Sequence, residues 1–236
     1  MSIATTIECV DVTWNPITGC DEISLGCLNC YAKKMSKRLF MMNQPKYANN
    51  FKLTLHEYEL NKPYSWKKHR VILVNSMSDI FHEKVPLDFL LSIFHTMNNT
   101  SHTYLLLTKR IERIIELDSL LPWSRNIWIG VTIEHNKFIQ RAEILKQSRA
   151  YHKFITFEPL LSDIDVFETN GIDWIIAGGE SGHNSRLMEE SWIRNIRDIC
   201  ILNNVPFFFK QWSGNGKKKV GRILDGKYWN EIPKFN

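Results

Sequence analysis

The sequence lacks the features that would place it in a membrane or in an oxidising compartment. No apolar run approaches the roughly 20 residues that a membrane-spanning helix needs. The first residues are polar and are followed by Glu8 and Asp11, so no signal peptide is recognisable. Cysteine is scarce, with 5 among 236 residues. We therefore expect a cytoplasmic protein without membrane contact, in which disulfides are rare.

The chain also lacks an HExxH motif, low-complexity tracts and any linker that would divide it. The first absence removes the commonest pattern for a metal held by helical histidines. The hydrophobic fraction of 44% is ordinary for a packed globular core. We predict a single domain over residues 1–236, with a basic and aromatic insertion at about 41–70 and a C-terminal extension at about 213–236.

Three of the few cysteines lie close together near the N terminus. Cys20, Cys27 and Cys30 have the spacing C-x6-C-x2-C within the stretch W-N-P-I-T-G-C-D-E-I-S-L-G-C-L-N-C-Y-A. Three thiolates on one glycine-containing loop can hold a metal centre. A structural zinc site is one interpretation, with Cys9 or a histidine as the fourth ligand. A [4Fe-4S] cluster whose fourth iron stays open to a small molecule is the other. The spacing leaves both open.

After this loop, apolar strands alternate with amphipathic helical segments. The predicted strands are 9–14, 71–75, 104–107, 127–131, 152–157, 172–177 and 205–209. The predicted helices are 31–40, 86–98, 111–117, 137–148 and 190–202. Such alternation implies right-handed crossovers and a parallel sheet. We therefore predict an α/β fold, a TIM-like partial (β/α) barrel of about six to seven parallel strands with an N-terminal cysteine-rich cluster loop.

Polar side chains follow most of these strands, at the points where the strands end. In chain order they are Ser76, Ser78, Asp79, Lys109, Arg110, Thr132, Glu134, Glu158, Glu180 and Lys210. The carboxyl ends of barrel strands meet at one rim, which is where such folds carry out their chemistry. Any one of these residues could instead cap a helix or lie on the surface. Because six strand ends share the pattern, we expect the set to converge on one mouth with the cysteine loop above it.

Several motifs taken together resemble a known family. T-W-N-P-I-T-G-C and S-x-G-C-x-x-C-Y-A are followed by N-S-M-S-D-I-F-H-E, L-T-K-R, W-I-G-V-T-I-E, F-E-P-L-L, I-I-A-G-G-E-S-G and F-F-F-K-Q-W. This set spans residues 13–212 and is similar to the phage-associated three-Cys-motif family, a domain of unknown function. That family is considered similar to radical S-adenosylmethionine enzymes. Those enzymes usually show C-x3-C-x2-C with an aromatic residue before the last cysteine, where this chain has Asn29, with Tyr31 after it.

The resemblance implies an enzyme that holds a [4Fe-4S] cluster on Cys20, Cys27 and Cys30. The cluster would cleave S-adenosylmethionine reductively, giving a 5′-deoxyadenosyl radical that abstracts hydrogen from a substrate. The implied cofactor-binding residues are Ser76, Ser78, Asp79, Arg110, Thr132 and Glu134. The implied catalytic residues are Glu158, Glu180, Lys109 and Lys210. An electron donor protein such as a flavodoxin or ferredoxin is an implied partner, and a phage or another mobile element is an implied source.

The formal net charge of +5 favours a polyanionic partner. Basic segments lie at 33–38, 67–70 and 217–222, and around one mouth they would form a collar for a phosphate backbone. We therefore predict a nucleic acid or nucleotide as substrate. The alternatives are a zinc-stabilised nucleic-acid-binding protein without catalysis and a barrel that binds a partner protein.

Overall fold

The computed structural model describes residues 10–214 and 221–235, and its main feature is a curled parallel sheet. The strands in spatial order are β1 (Val12–Trp14), β2 (Val71–Val74), β3 (Thr103–Thr108), β4 (Ile127–Thr132), β5 (His152–Phe157), β6 (Trp174–Ala177) and β7 (Phe207–Phe209). Every neighbouring pair is parallel. The spatial order equals the chain order, and β1 does not pair with β7. The predicted partial (β/α) barrel is confirmed.

The described residues contain five α-helices. They are α1 (Tyr31–Met41), α2 (Leu87–Asn98), α3 (Ile111–Leu117), α4 (Gln140–Lys146) and α5 (Glu190–Leu202). Of these, α2 to α5 share the main core with the outer face of the sheet, while α1 packs against Tyr47 and Met77. In α2, Leu90, Ile93, Phe94 and Met97 are fully buried, which is the spacing of one helical face. None of the helices among the described residues is long and apolar enough to cross a membrane.

The predicted helix at 137–148 is wrong in its extent. A 3-10 turn, Asn136–Phe138, precedes the shorter α4. The amide nitrogen of Asn136 donates to Ser162 Oγ at 2.9 Å, and its side chain donates to Asp165 Oδ2 at 2.5 Å. These partners lie in the loop after β5, so a long-range contact fixes the first turn in the tighter 3-10 form.

The two faces of the sheet bury different sets of side chains. The outward residues join the helices in the main core, whereas the inward residues form a smaller cluster within the barrel. The inner cluster contains Val10, Leu105, Trp128, Phe154, Trp174, Ile176 and Phe208. Gly130 is required here, because a Cβ at this position would lie 2.4 Å from the ring of Phe154. Bulky rings therefore fill the interior of the barrel, and the polar side chains lie at the rim formed by the carboxyl ends of the strands.

The segment between α1 and β2 is ordered around short 3-10 turns at Pro45–Tyr47, Glu57–Glu59 and Lys62–Ser65. Its two-residue strand Thr54–Leu55 pairs antiparallel with Ile17–Thr18, at the start of the cysteine loop. The side chains of Thr18 and His56 are hydrogen-bonded at 2.8 Å. This segment therefore supports the entry to the cysteine loop.

The C-terminal residues cover the free edge of β7. After a short hairpin of Ile223–Leu224 and Lys227–Tyr228, the chain runs antiparallel to β7. Phe209 N donates to Trp229 O at 2.9 Å, and Glu231 N donates to Phe207 O at 3.1 Å. The last β-strand of the barrel is thereby protected from pairing with another chain.

Candidate functional site: a cysteine loop across the barrel mouth

The cysteine loop leaves the sheet beside the carboxyl end of β2. Gly19 has a φ of 81°, and a Cβ there would lie 2.2 Å from the carbonyl oxygen of Lys52. Only glycine fits this turn. The next residue, Cys20, donates its amide to Phe51 O at 3.3 Å. The turn thus places the first cysteine against the 41–70 segment.

The three loop cysteines are free and partly exposed. Cys27 ends the 3-10 turn Leu25–Cys27, and Cys30 directly precedes α1. Lys109 Nζ lies 3.9 Å from Cys27 Sγ, and Arg110 Nη1 lies 3.9 Å from Cys20 Sγ. Cations at this distance stabilise the thiolate form, which is the form that binds metals.

The surroundings of two of the thiols shift their pKa values in opposite directions. Burial raises the pKa of Cys20 to about 12, with the carboxylate of Asp79 adding to the rise and Arg110 opposing it. Burial would also raise the pKa of Cys27, but the Lys109 ammonium and the Ser24 hydroxyl outweigh it, so the pKa lies below its usual value. Cys27 is therefore the more easily ionised of the two.

The donor set fits an iron-sulfur cluster. Three free thiols share one loop, and a cation beside each of two sulfurs can balance thiolate charge. Cys200 is buried in α5, and Cys9 lies outside the described residues. Among residues 10–214 and 221–235, no three Cys, His, Asp or Glu side chains are arranged to hold one metal ion. Thiolates that bind separate irons of a cluster do not need that arrangement.

Glu134, which follows β4, lies fully buried beneath the middle of the loop. Its Oε1 accepts from Gly26 N and from Lys109 Nζ, both at 3.4 Å, and its Oε2 accepts from Arg141 Nη1 at 3.0 Å. Burial would raise the pKa of Glu134, but Lys109 and Arg141 hold it below its usual value. The carboxylate therefore stays ionised and fastens the loop to β4.

Glu180, which follows β6, fastens the second half of the loop. Its Oε2 accepts from Asn29 Nδ2 at 2.9 Å and from Arg186 N at 2.8 Å. Arg186 in turn donates from Nη1 to Leu25 O at 3.0 Å. Burial opposes ionisation of Glu180, but Arg186 and Asn29 outweigh it and lower its pKa. The loop is thus tied to two strand ends, through Gly26 before Cys27 and Asn29 after it.

The side chains of Ser76, Ser78 and Asp79, which follow β2, form hydrogen bonds with neighbouring residues of the protein. Ser78 Oγ donates to Gly19 O, and Ser76 Oγ lies 3.2 Å from Asn15 Oδ1. Asp79 accepts from Thr108 Oγ1 at 2.8 Å to both oxygens, and burial raises its pKa. All three lie at the predicted rim, and their assignment to the cofactor stays a prediction.

Glu158 and Lys210 form a separate pair after β5 and β7. Lys210 Nζ lies 2.5 Å and 2.7 Å from the two oxygens of Glu158. Gln211 Nε2 donates to Glu158 Oε1 and to Gly179 O, both at 2.9 Å. Thr132 is buried at the end of β4, and its carbonyl accepts from Arg141. Their roles at the site stay predictions.

Several residues that build the site escaped sequence reasoning. They are Ser24, Asn29, Arg141 and Arg186. Asn29 carried a usable signal, because it is a polar residue inside the C-x2-C motif. The two arginines carried none, since nothing local distinguishes them from surface cations.

The predicted basic collar is wrong for residues 67–70. These residues directly precede β2, and His69 Nε2 lies 3.1 Å from Thr103 Oγ1 at the start of β3. They therefore lie at the amino ends of the strands, opposite the mouth. Residues 33–38 begin in the first turn of α1, next to Cys30, and so lie near the mouth. Residues 217–220 are outside the described part of the chain.

The fold is similar to that of spore photoproduct lyase in two solved structures. One is complexed with dinucleoside spore photoproduct, with a TM-score of 0.55, 9% identity, and coverage of 91% of this chain and 79% of that chain. The other is a mutant with bound AdoMet and dinucleoside spore photoproduct, with a TM-score of 0.50 and 10% identity. That match covers 84% of this chain and 63% of the other, so this chain spans less than two thirds of that protein.

No curated protein matches the sequence. A family model described as Protein of unknown function (DUF5131) matches residues 4–233. The prediction of a family without an assigned function is confirmed to that extent. Because the match covers nearly the whole chain, the protein belongs to the DUF5131 family.

Proposed function

We propose that the protein is a radical S-adenosylmethionine enzyme that acts on a nucleic acid or nucleotide. The observation that carries the proposal is the loop with three free thiols, fastened across the mouth of a partial parallel barrel with cations beside two of the sulfurs. A similar fold occurs in a protein whose structure contains AdoMet. We infer the same cofactor class here.

Cys20, Cys27 and Cys30 would hold the cluster. When bound, the cluster and S-adenosylmethionine would supply a 5′-deoxyadenosyl radical by reductive cleavage. The protein's own contribution is to orient the loop through Glu134 and Glu180. With the loop held across the mouth, the reacting atoms are screened from water, which protects reactive intermediates.

The side of the mouth around Glu158 would bind polar groups of the substrate or the cofactor. Both hydrogen bonds of Gln211 Nε2 are made, but its buried Oε1 has no hydrogen-bond partner among residues 10–214 and 221–235. Within the same residues, Thr156 Oγ1 is also buried without a partner, and strand alternation places it on the inner face of β5. Buried polar atoms usually find partners, so a bound molecule with hydrogen-bond donors fits this side.

Anaerobic reconstitution with iron and sulfide tests the enzyme part of the proposal. We expect about four irons per chain and formation of 5′-deoxyadenosine from S-adenosylmethionine after reduction with dithionite. The matched control is the protein with all three loop cysteines replaced by alanine. One zinc per chain, with no visible absorption and no 5′-deoxyadenosine, would instead support a zinc-stabilised binding protein.

The nucleic-acid part rests on the dinucleoside ligand of the similar structures and on the exposed cations of α1. We expect oligonucleotides to bind with an affinity that falls steeply with salt. Removing Lys34 and Lys37 together should make the salt dependence shallower by about one unit of slope per lost phosphate contact. The control removes Lys67 and Lys68 on the opposite face and should change little. Absence of binding at low salt would redirect the search to small metabolites or peptides.

A further inference from the structure

The ammonium of Lys109 lies directly beneath the cysteine loop. Its Nζ is 3.9 Å from Cys27 Sγ, 3.2 Å from Ser24 Oγ and 3.4 Å from Glu134 Oε1. A Cβ on Gly26 would lie 2.7 Å from this Nζ. A side chain at residue 26 would therefore push the ammonium away from its present position.

We infer that Lys109 sets the reduction potential of the cluster, by placing a fixed positive charge beside the Cys27 sulfur. This inference rests on the proposed function, since it requires a cluster on the loop. Potentials of iron-sulfur clusters depend on net charge and on hydrogen bonds to the sulfurs. Lys109 is thus a positioning residue that acts on the cluster through Cys27.

The electrostatic argument has a definite sign. Reduction transfers one electron from an external low-potential one-electron donor to the cluster, which gains one negative charge while no bond forms or breaks. A neighbouring ammonium stabilises that added charge and so favours the reduced form. The side chain of Lys109 is only 19% exposed, so water weakly screens the attraction between its ammonium and the added negative charge.

Glu134 opposes this effect from the other side of the ammonium. It is fully buried and ionised, and it neutralises part of the positive charge of Lys109. Arg110, although 3.9 Å from Cys20 Sγ, has two carboxylates as counter-charges, Glu83 at 3.0 Å and Asp79 at 3.8 Å. Lys109, in contrast, has only Glu134 among its ion pairs in the described residues. The two cysteines therefore differ, and Cys27 is the sulfur with the larger positive influence.

The test is the midpoint potential of the reconstituted cluster, measured by dithionite titration with electron paramagnetic resonance. In Lys109→Met we expect a more negative potential at unchanged iron and sulfide content. The expected size is about a tenfold lower ratio of reduced to oxidised cluster at a fixed potential, which is about 59 mV for one electron. The matched control, Lys137→Met, removes an exposed cation after the same strand as Glu134 and should leave the potential unchanged.

Glu134→Gln separates tuning from a merely structural role. Both substitutions remove a contact of the loop, but only tuning predicts shifts of opposite sign, with Glu134→Gln giving a more positive potential. A wild-type potential in iron-loaded Lys109→Met would overturn the inference. Should Lys109→Met hold no iron, Glu134→Gln decides, and an unchanged or more negative potential there would overturn it. Wild-type protein without iron would reject the proposed function instead.

Discussion

Two sets of charged residues on the barrel rim are similar in type but differ in their partners. After β3, β4 and β6, the charged residues Lys109, Glu134 and Glu180 bond to the cysteine loop. After β5 and β7, Glu158 and Lys210 bond to each other. We call the first the fastening set and the second the open set; the two sets alternate around the rim, because β5 lies between β4 and β6. A charged residue at the end of a strand thus marks the rim, and its partner shows whether it holds the cysteine loop.

Burial separates the carboxylates of the two sets as well. The side chains of Glu134 and Glu180 are 0% and 5% exposed, whereas that of Glu158 is 21% exposed. A buried carboxylate that loses its charge leaves its cationic partners uncompensated, which is costly. The cost is smaller where water reaches the carboxylate, as at Glu158.

The largest effect is expected where the fastened loop itself is broken. Replacing Cys20, Cys27 or Cys30 singly by alanine should abolish cluster binding, because each thiolate would hold a separate iron. Iron and sulfide analysis after anaerobic reconstitution measures this. Cys200→Ala is the control and should retain the cluster, since Cys200 is buried in α5. Loss of all metal in Cys9→Ala would contradict the three-cysteine site and favour four-cysteine zinc.

The next effect compares the fastening set with the open set directly. Glu134→Gln and Glu180→Gln should each lower the free energy of unfolding by roughly 3 kcal/mol and reduce iron retention, because each removes the charge of a buried carboxylate that is paired with a cation. Urea unfolding and iron analysis measure this. Glu158→Gln is the matched control and should lose less stability, since its carboxylate is less buried. Equal losses for Glu158→Gln would contradict the distinction between the two sets.

An acid-dependent effect should appear where the 41–70 segment supports the loop entry. Burial, with Lys46 adding, lowers the pKa of His56 from 6.5 to about 4. The unfolded chain therefore takes up a proton near pH 6.5 while the folded protein does so only near pH 4. Stability should fall as pH decreases across this window, by on the order of 3 kcal/mol from this group.

Thermal unfolding of wild type and His56→Gln between pH 7 and pH 4 measures that effect. The difference between the two curves should shrink or invert as pH falls, because the variant lacks the penalty. Replacing His183, which is exposed, serves as the control. Parallel curves for wild type and His56→Gln would contradict the assignment.

The smallest effect on stability is expected for the open set. Lys210→Met should lower the free energy of unfolding by less than Glu134→Gln does and leave iron content intact, since its partner Glu158 is 21% exposed whereas Glu134 is fully buried. Release of 5′-deoxyadenosine should nevertheless fall if this pair faces the substrate or the cofactor. Unchanged turnover together with a large loss of stability would make the pair structural.

Much of the fold was predictable from hydrophobic patterns. Three predicted elements agree with the structure at both ends: the helices Ile111–Leu117 and Glu190–Leu202 and the strand His152–Phe157. Continuous apolar runs identify strands that are buried on both faces. The split of the helix at 137–148 was not predictable, because Asp165 and Ser162 impose it from a distant loop. Short-range patterns cannot reveal such partners.

The site was predictable in its location but only partly in its connections. Parallel topology brings Glu134 and Glu180 to the rim on the basis of sequence alone. The hydrogen bond from Asn29 to Glu180 joins residues 151 positions apart, and no local signal indicates it. Basic composition alone wrongly predicts that residues 67–70 lie at the mouth. These residues directly precede β2 and so lie at the amino ends of the strands. Sequence spacing reports the side of the barrel only when it is combined with strand direction.

The antiparallel cover on β7 has a mechanical consequence. The outer hydrogen-bonding groups of β7 are used by Trp229 and Glu231, so β1 cannot pair there to complete a ring. In a closed barrel, strand number and stagger together fix the diameter. Among the strands of residues 10–214 and 221–235, no continuous circuit of hydrogen bonds imposes that constraint. A small change in sheet twist can therefore widen or narrow the gap between β1 and β7 without breaking any pair of the seven strands. The width of the mouth can adjust at this gap.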